Sequence, residues 1–287
     1  MTAVTAGDAR IAGRLDRFDI VGAGGRVIRG EARVVDGATA SVVLLHGFKG
    51  FAHFSFFPLL ADRLSRAGLT AISFNFSGSG VGEDMERFTD ADAFENNSFG
   101  RELYDLVMVN AEADRRGWLG TRRGLFGHSR GGGIAVLHAA RDERVAALAT
   151  WSSISTVKRW SDADLTSWRE RGYTEIANSR TGQTMRVGTN LLNEVVKHAS
   201  GRLDIERAAA VIRCPWLIVH GDTDETVPVA EGERLHAATN GRAELLRVSG
   251  ATHGFNVSHG FAHPSPELQL VVDRTVDFFA GNLFAGT

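Results

Sequence analysis

Gly124-Leu125-Phe126-Gly127-His128-Ser129-Arg130-Gly131-Gly132-Gly133-Ile134 is the stretch on which the fold turns. Its first three residues form an apolar run of strand type, and over 131–140 apolar residues recur at helical spacing. Between the two runs, Gly127 and Gly131 stand two residues either side of Ser129, giving Gly-x-Ser-x-Gly. A sharp strand-to-helix turn needs glycine there, because a β-carbon would collide with the neighbouring strand and helix. Such a turn lifts the Ser129 hydroxyl to the sheet edge, at a helix N-terminus whose partial positive charge favours an anion. The plainer reading of the same residues is a glycine-rich turn with serine capping a helix.

Outward from this turn, short apolar runs alternate with helical ones. Residues 17–35 read as an antiparallel hairpin turning at Gly24-Gly25, and strands are expected over 41–45, 69–76, 124–126, 145–150, 216–219 and 243–248. Helices are expected over 56–67, ending at Gly68, and over 102–113, 131–140 and 266–279. The last begins with Ser265 as N-cap and Pro266 at the first helical position. This alternation predicts an α/β fold, a mostly parallel, doubly wound sheet covered on both faces. From 151 to about 203 no convincing strand is seen, and a structureless loop of that length is improbable in a compact domain. The expected organisation is therefore a core over 15–150 and 206–283, a helical cap inserted at 151–205, and an N-terminal extension, 1–14.

Composition narrows the function classes. An apolar fraction of 43% and a charged fraction of 23% describe a globular chain, not a disordered one. With 32 Lys+Arg against 34 Asp+Glu, the formal charge of −2 gives no general pull toward nucleic acid or anionic lipid. The single Cys214 excludes an intramolecular disulfide and a thiolate zinc cage. The first fifteen residues carry Asp8, Arg10 and Arg14 and lack the apolar core of a signal peptide. No window approaches 18 apolar residues, so the default is a soluble cytoplasmic protein without membrane or nucleic-acid partners. A homodimer is compatible with the sequence.

A serine hydroxyl becomes a nucleophile when a base takes its proton, and the base needs an anchoring carboxylate. Two successive strand-end loops downstream of Ser129 offer both. The first, His220-Gly221-Asp222-Thr223-Asp224-Glu225-Thr226-Val227-Pro228, supplies Asp224, with Asp222 as its competitor. The second, Gly250-Ala251-Thr252-His253-Gly254-Phe255, supplies His253. Upstream, the run 41–45 ends in His46-Gly47-Phe48-Lys49-Gly50, whose glycines let the backbone approach a substrate. The backbone N–H groups of Phe48 and Arg130 are the expected oxyanion donors.

These four segments, in this order across residues 15–283, resemble the α/β-hydrolase family. Within it the chain is similar to bacterial dienelactone-hydrolase-like and cinnamoyl (feruloyl) esterases and to serine aminopeptidase-like hydrolases, a likeness to which Phe74-Asn75-Phe76-Ser77-Gly78-Ser79-Gly80 contributes. The resemblance implies Ser129 as nucleophile, Asp224 as acid and His253 as base. True dienelactone hydrolases use a cysteine nucleophile, and Ser129 stands here instead. The implied activity is a serine esterase acting on a small-molecule ester; amide or thioester hydrolysis would use the same residues, and a non-catalytic hydrolase-like binding protein is the remote alternative. No cofactor is implied: Gly78-Ser79-Gly80 suggests a dinucleotide fingerprint, but its third glycine falls at Glu83. No metal is implied either, since His253, His259 and His263 have no carboxylate among them. His46 is expected to orient the oxyanion loop, and His128 and Arg130, which flank the nucleophile, to pack or bind at the pocket rim. Phe51, Trp151, Trp160 and Trp168 are the aromatic candidates for lining a substrate pocket over Ser129.

Overall fold

The computed structural model describes residues 13–178 and 182–284. Its first strands, β1 (Arg14–Val21) and β2 (Val27–Val34), form an antiparallel hairpin that turns through Gly24 and Gly25, both at positive φ. There follow β3 (Ala40–Leu45), α1 (Phe57–Arg66), β4 (Thr70–Asn75), the short α2 (Ala91–Glu95), α3 (Phe99–Arg115), β5 (Arg122–His128), α4 (Arg130–Ala139) and β6 (Val145–Trp151). Next come α5 (Asp162–Arg171), β7 (Tyr173–Asn178), β8 (Gln183–Gly188), α6 (Thr189–His198) and α7 (Ile205–Val211). The chain closes with β9 (Trp216–Gly221), α8 (Val229–Ala238), β10 (Glu244–Val248) and α9 (Pro266–Leu283). Of the extension expected over 1–14, residues 1–12 lie outside the described residues, and Arg14 already belongs to β1.

Eight strands make one sheet in the order β1-β2-β4-β3-β5-β6-β9-β10. β2 pairs antiparallel with both β1 and β4, and every pairing from β4 to β10 is parallel. This is the mostly parallel, doubly wound sheet that the strand–helix alternation predicts. β3 and β9 are buried along their whole length, which is why 41–45 and 216–219 read as unbroken apolar runs. Side-chain alternation divides them between two cores. Val42 and Leu44 pack with Leu60 of α1 and Phe279 of α9, while Val43 and Leu45 pack with Leu106 of α3 and Ile134 of α4.

The segment between β6 and β9 corrects the expectation of a wholly helical insertion. It contains helices, but also the antiparallel hairpin of β7 and β8. Its strands alternate exposed residues with buried ones such as Met185 and Val187, a period-2 signal interrupted by the exposed Ala177 and the buried Asn178. α5 begins in a capping box of Ser161 and Asp164 and ends at Gly172 in the left-handed region. No helix among the described residues is long and apolar enough to cross a membrane.

Trp151 ends β6 in the interior, where its indole Nε1 donates to Thr275 Oγ1 of α9 at 2.9 Å, both residues being fully buried. Removing only the acceptor strands the indole N–H. Thr275→Val is therefore expected to destabilise the fold by about 2 kcal/mol, and Thr275→Ser, which keeps the oxygen, by about 1 kcal/mol or less. Urea unfolding midpoints measure both, and equal midpoints for the two variants would contradict this role for the bond.

Candidate active site

Ser129 occupies the junction of β5 and α4 at φ 57° and ψ −122°, a conformation that non-glycine residues adopt only under constraint. Backbone hydrogen bonds supply the constraint. Ser129 N donates to Trp151 O (2.9 Å), and Ser129 O accepts from Gly132 N (3.0 Å) and from Ile154 N (3.3 Å). The flanking glycines are steric requirements. A Cβ at Gly127 would stand 2.3 Å from Gly131 O, and one at Gly131 would stand 2.4 Å from His46 O. The Arg130 amide, at the first position of α4, is among the N–H groups that a helix leaves without an intrahelical acceptor.

The loops after β9 and β10 carry the expected acid, Asp224, and the expected base, His253. Asp224 is buried, and its Oδ1 accepts from the amides of Thr226 and Val227, both at 2.9 Å. Its Oδ2 lies 2.8 Å from His253 Nδ1 and 3.6 Å from His220 Nε2. Burial works against the ionised carboxyl, but the contacts with His220 and His253 and the Val227 amide outweigh it and hold Asp224 well below the usual carboxylate range. With Nδ1–H assigned to the Asp224 bond, His253 Nε2 is left as the basic nitrogen. The competitor, Asp222, is exposed and accepts from Gly250 N at 2.7 Å, tying the two loops together away from His253.

Two further histidines hold their neighbours in place. Phe76 N donates to His46 Nε2 (3.2 Å), so the His46 proton sits on Nδ1 and is donated to Gly47 O (2.9 Å). That pair of bonds fixes the loop carrying Phe48, as expected of His46. His128 stacks on His253, with ring centroids 4.6 Å apart, and its Nε2 donates to His253 O at 3.0 Å. The packing role expected for His128 is thus also a positioning one.

Ser129, Arg130, Phe48 and His253 line one cavity of about 390 Å³. Of the four aromatic candidates, the structure brings only Trp160 to it. Trp151 is a core residue, packed on Phe56, Phe126 and Phe255. Trp168 lies buried behind Trp160, with ring centroids 5.0 Å apart. Phe51 packs edge-on against Phe54 and His259. Large aromatics bury most area where they are enclosed, and these three are enclosed by other aromatics rather than by the cavity. His259 accepts from Ser55 N at 3.1 Å, and among the described residues no group of three or more candidate ligands is placed to hold a metal ion.

Sequence reasoning missed several of the cavity's residues: Phe99, Ile154, Arg159, Ile176, Asn178 and Thr226. Ile176 and Asn178 belong to the unpredicted strand β7, whose alternation was the available signal. It also missed Glu102, which meets Arg130 Nε at 2.8 Å in a buried ion pair.

Burial pulls His46 down to about 4 against its Gly47 bond, with Arg130 adding to the fall. Burial likewise takes His128 to about 3, with His253 adding to it. Between the ordinary value of 6.5 and these folded values, the unfolded chain binds protons that the folded chain refuses. Stability therefore falls as pH drops through that window. From pH 7 to pH 5 the two histidines together remove roughly 4 kcal/mol. His53, raised by its Glu31 bond, returns part of it. Urea midpoints at the two pH values measure the loss. His128→Asn is expected to remove about half of the histidine contribution, and an unchanged pH dependence would refute the assignment.

Against known proteins, the family described as "Serine aminopeptidase, S33" matches residues 36–256. An uncharacterised 31.7 kDa protein of the traX-finO intergenic region of Escherichia coli is 27% identical over 250 residues, covering 74% of this chain and 82% of that one. The structure of Est1E from Butyrivibrio proteoclasticus with bound ferulic acid superimposes with a TM-score of 0.71 at 18% identity, over 92% of this chain and 98% of that one. A puromycin-hydrolysing peptidase from Mycobacterium tuberculosis gives 0.68 at 16% identity, over 98% of this chain and 41% of that one. With well over half of its length matched by the family and the same architecture in these neighbours, the chain belongs to the serine aminopeptidase S33 family of α/β-hydrolases.

Proposed function

We propose that this chain is a serine carboxylesterase for small to medium esters. The observation that carries the reading is that Ser129 and His253 line one cavity while His253 is anchored at 2.8 Å on the buried Asp224. Ser129 Oγ attacks the ester carbonyl as His253 Nε2 takes its proton. The amides of Phe48 and Arg130 hold the oxyanion. His253 passes the proton to the leaving alkoxide, and the acyl group stays on Ser129. A water molecule, deprotonated by His253, then attacks the acyl-enzyme, and collapse returns the proton to Ser129. Asp224 keeps the imidazole in the required tautomer and stabilises its cation between these steps.

Amide hydrolysis by the same residues is the second reading, favoured by the family's description and by the peptidase among the structural neighbours. An aminopeptidase needs an anion to receive the substrate's terminal ammonium. Among the described residues the cavity is lined by Lys49, Arg130 and Arg159 and by no carboxylate, which supports the ester reading.

Labelling with a fluorophosphonate probe and peptide mapping tests the nucleophile without a chosen substrate. The expected adduct is on Ser129, absent in His253→Ala; turnover of 4-nitrophenyl esters falls roughly 10⁴-fold or more in Ser129→Ala. Labelling elsewhere, or turnover that survives the substitution, removes the reading. The two candidate acids separate in the same assay. Asp224→Asn is expected to lower kcat by about 10⁴-fold through the wrong imidazole tautomer, whereas Asp222→Asn stays within about threefold. The reverse order would reassign the acid.

A further inference from the structure

The cavity beside Ser129 is walled by apolar groups, among them Phe48, Phe99 and Trp160, yet it also carries three cations. Lys49 comes from the loop after β3, Arg130 from the start of α4, and Arg159 from the segment after β6. Cations in an apolar wall need a reason, since each gives up hydration to be there. Arg130 and Arg159 are held by carboxylates that do not line the cavity. Glu102 meets Arg130 Nε at 2.8 Å, and Glu231 meets Arg159 Nη1; both glutamates are buried. Each pair therefore presents its positive end to the cavity and keeps its negative end behind the wall. Asp224 is likewise shut beneath His253.

Arg130 is the most telling of the three. Its guanidinium lies 4.0 Å from the Phe99 ring centroid and 5.1 Å from that of Phe48, and both rings line the cavity. The residue is 6% exposed, and its Nη2 is enclosed with no hydrogen-bond partner among the described residues. A guanidinium carries five N–H donors, and a buried one that lacks acceptors is incomplete as it stands. An anion in the cavity would face the positive end of the Arg130–Glu102 pair, and carboxylate geometry matches the guanidinium fork. Lys49 Nζ, donating to Ala177 O at 3.0 Å, and Arg159 Nη2, donating to Thr226 O at 3.1 Å, complete a wall of donors around the same space.

We propose that this cavity selects esters that carry a carboxylate a few carbons from the scissile carbonyl, such as hemiesters of short dicarboxylic acids, with Arg130 and Lys49 as the specificity-determining side chains. The proposal rests on the esterase reading for its turnover, but the anion site itself can be measured separately. The test compares 4-nitrophenyl hemiglutarate with 4-nitrophenyl pentanoate, two substrates with the same leaving group. The expected result is a kcat/KM for the hemiester at least about tenfold higher, expressed in KM and shrinking as salt is raised. Lys49→Met, and the paired Arg130→Gln/Glu102→Gln that removes both buried charges together, are each expected to cut the ratio about tenfold.

Ser129-dependent turnover of both esters with a ratio at or below one overturns the proposal and leaves the esterase reading standing. Where neither ester is turned over, calorimetry with Ser129→Ala decides. Hemiester binding at least about tenfold tighter than the pentanoate keeps the anion site while the esterase reading falls, and equal affinities overturn the site as well.

Discussion

The backbone at Ser129 is held at φ 57° and ψ −122°, where an L-residue sits only at a cost of roughly 1–3 kcal/mol. What meets that cost comes from β6 and the segment after it, the end of β3 and the start of α4. β6 accepts the Ser129 N–H, Gly132 and Ile154 donate to its carbonyl, and the carbonyls after β3 press against Gly131 so closely that no side chain fits there. The same contact brings the loop carrying Phe48 against the Ser129 backbone, since a Cβ at Gly47 would stand 3.0 Å from Ser129 Cβ. The hydroxyl and both expected oxyanion donors are therefore fixed by one piece of packing. A change at Gly127 or Gly131 would move them together.

Electrostatics around this turn follow from burial acting oppositely on groups of different partners. His46 and His128 are enclosed with neutral acceptors and donors, so they stay uncharged and act as struts of fixed tautomer. Asp224 is equally enclosed, yet two backbone amides and two imidazoles face it, and it stays ionised. The His253 side chain is thus exposed enough to meet a substrate, while its orientation is set by an anion beneath it and a neutral ring beside it. The separation gives His253 the only imidazole of the three that both lines the cavity and has a charge-stabilising partner.

Much of this was legible in the sequence because steric rules act locally. Only glycine fits either side of Ser129, and only a buried parallel sheet makes runs such as 41–45 and 216–219 worth leaving unbroken. Strand-end loops then offered an acid and a histidine in order. Three of the four aromatic candidates failed for the opposite reason, because the type of a residue does not say which side of a wall it occupies. Trp151 ends a strand and its ring turns into the sheet's α1–α9 core, while Trp160 and Trp168 lie eight residues apart and divide into a cavity face and a backing. The β7–β8 hairpin was hidden because its alternation is short and interrupted, Ala177 being exposed and the polar Asn178 buried.

The division of labour follows the topology. Strand-end loops of the main sheet bear the groups expected to do chemistry, and the segment between β6 and β9 contributes Ile154, Arg159, Trp160, Ile176 and Asn178 to the cavity. That segment is not free to drift. Glu231 of α8 accepts from Ser155 N at 2.7 Å and pairs with Arg159, whose other amine donates to Thr226 O in the loop bearing Asp224. On the far side, Lys49 in the loop bearing Phe48 donates to Ala177 O of β7. The wall is thus tied at one end to the loop bearing Asp224 and at the other to the loop bearing Phe48, through cations that themselves line the space. An anionic ligand drawn to those cations would act on both ties at once, so in the proposed anion site Lys49 would serve both selectivity and the alignment of the wall.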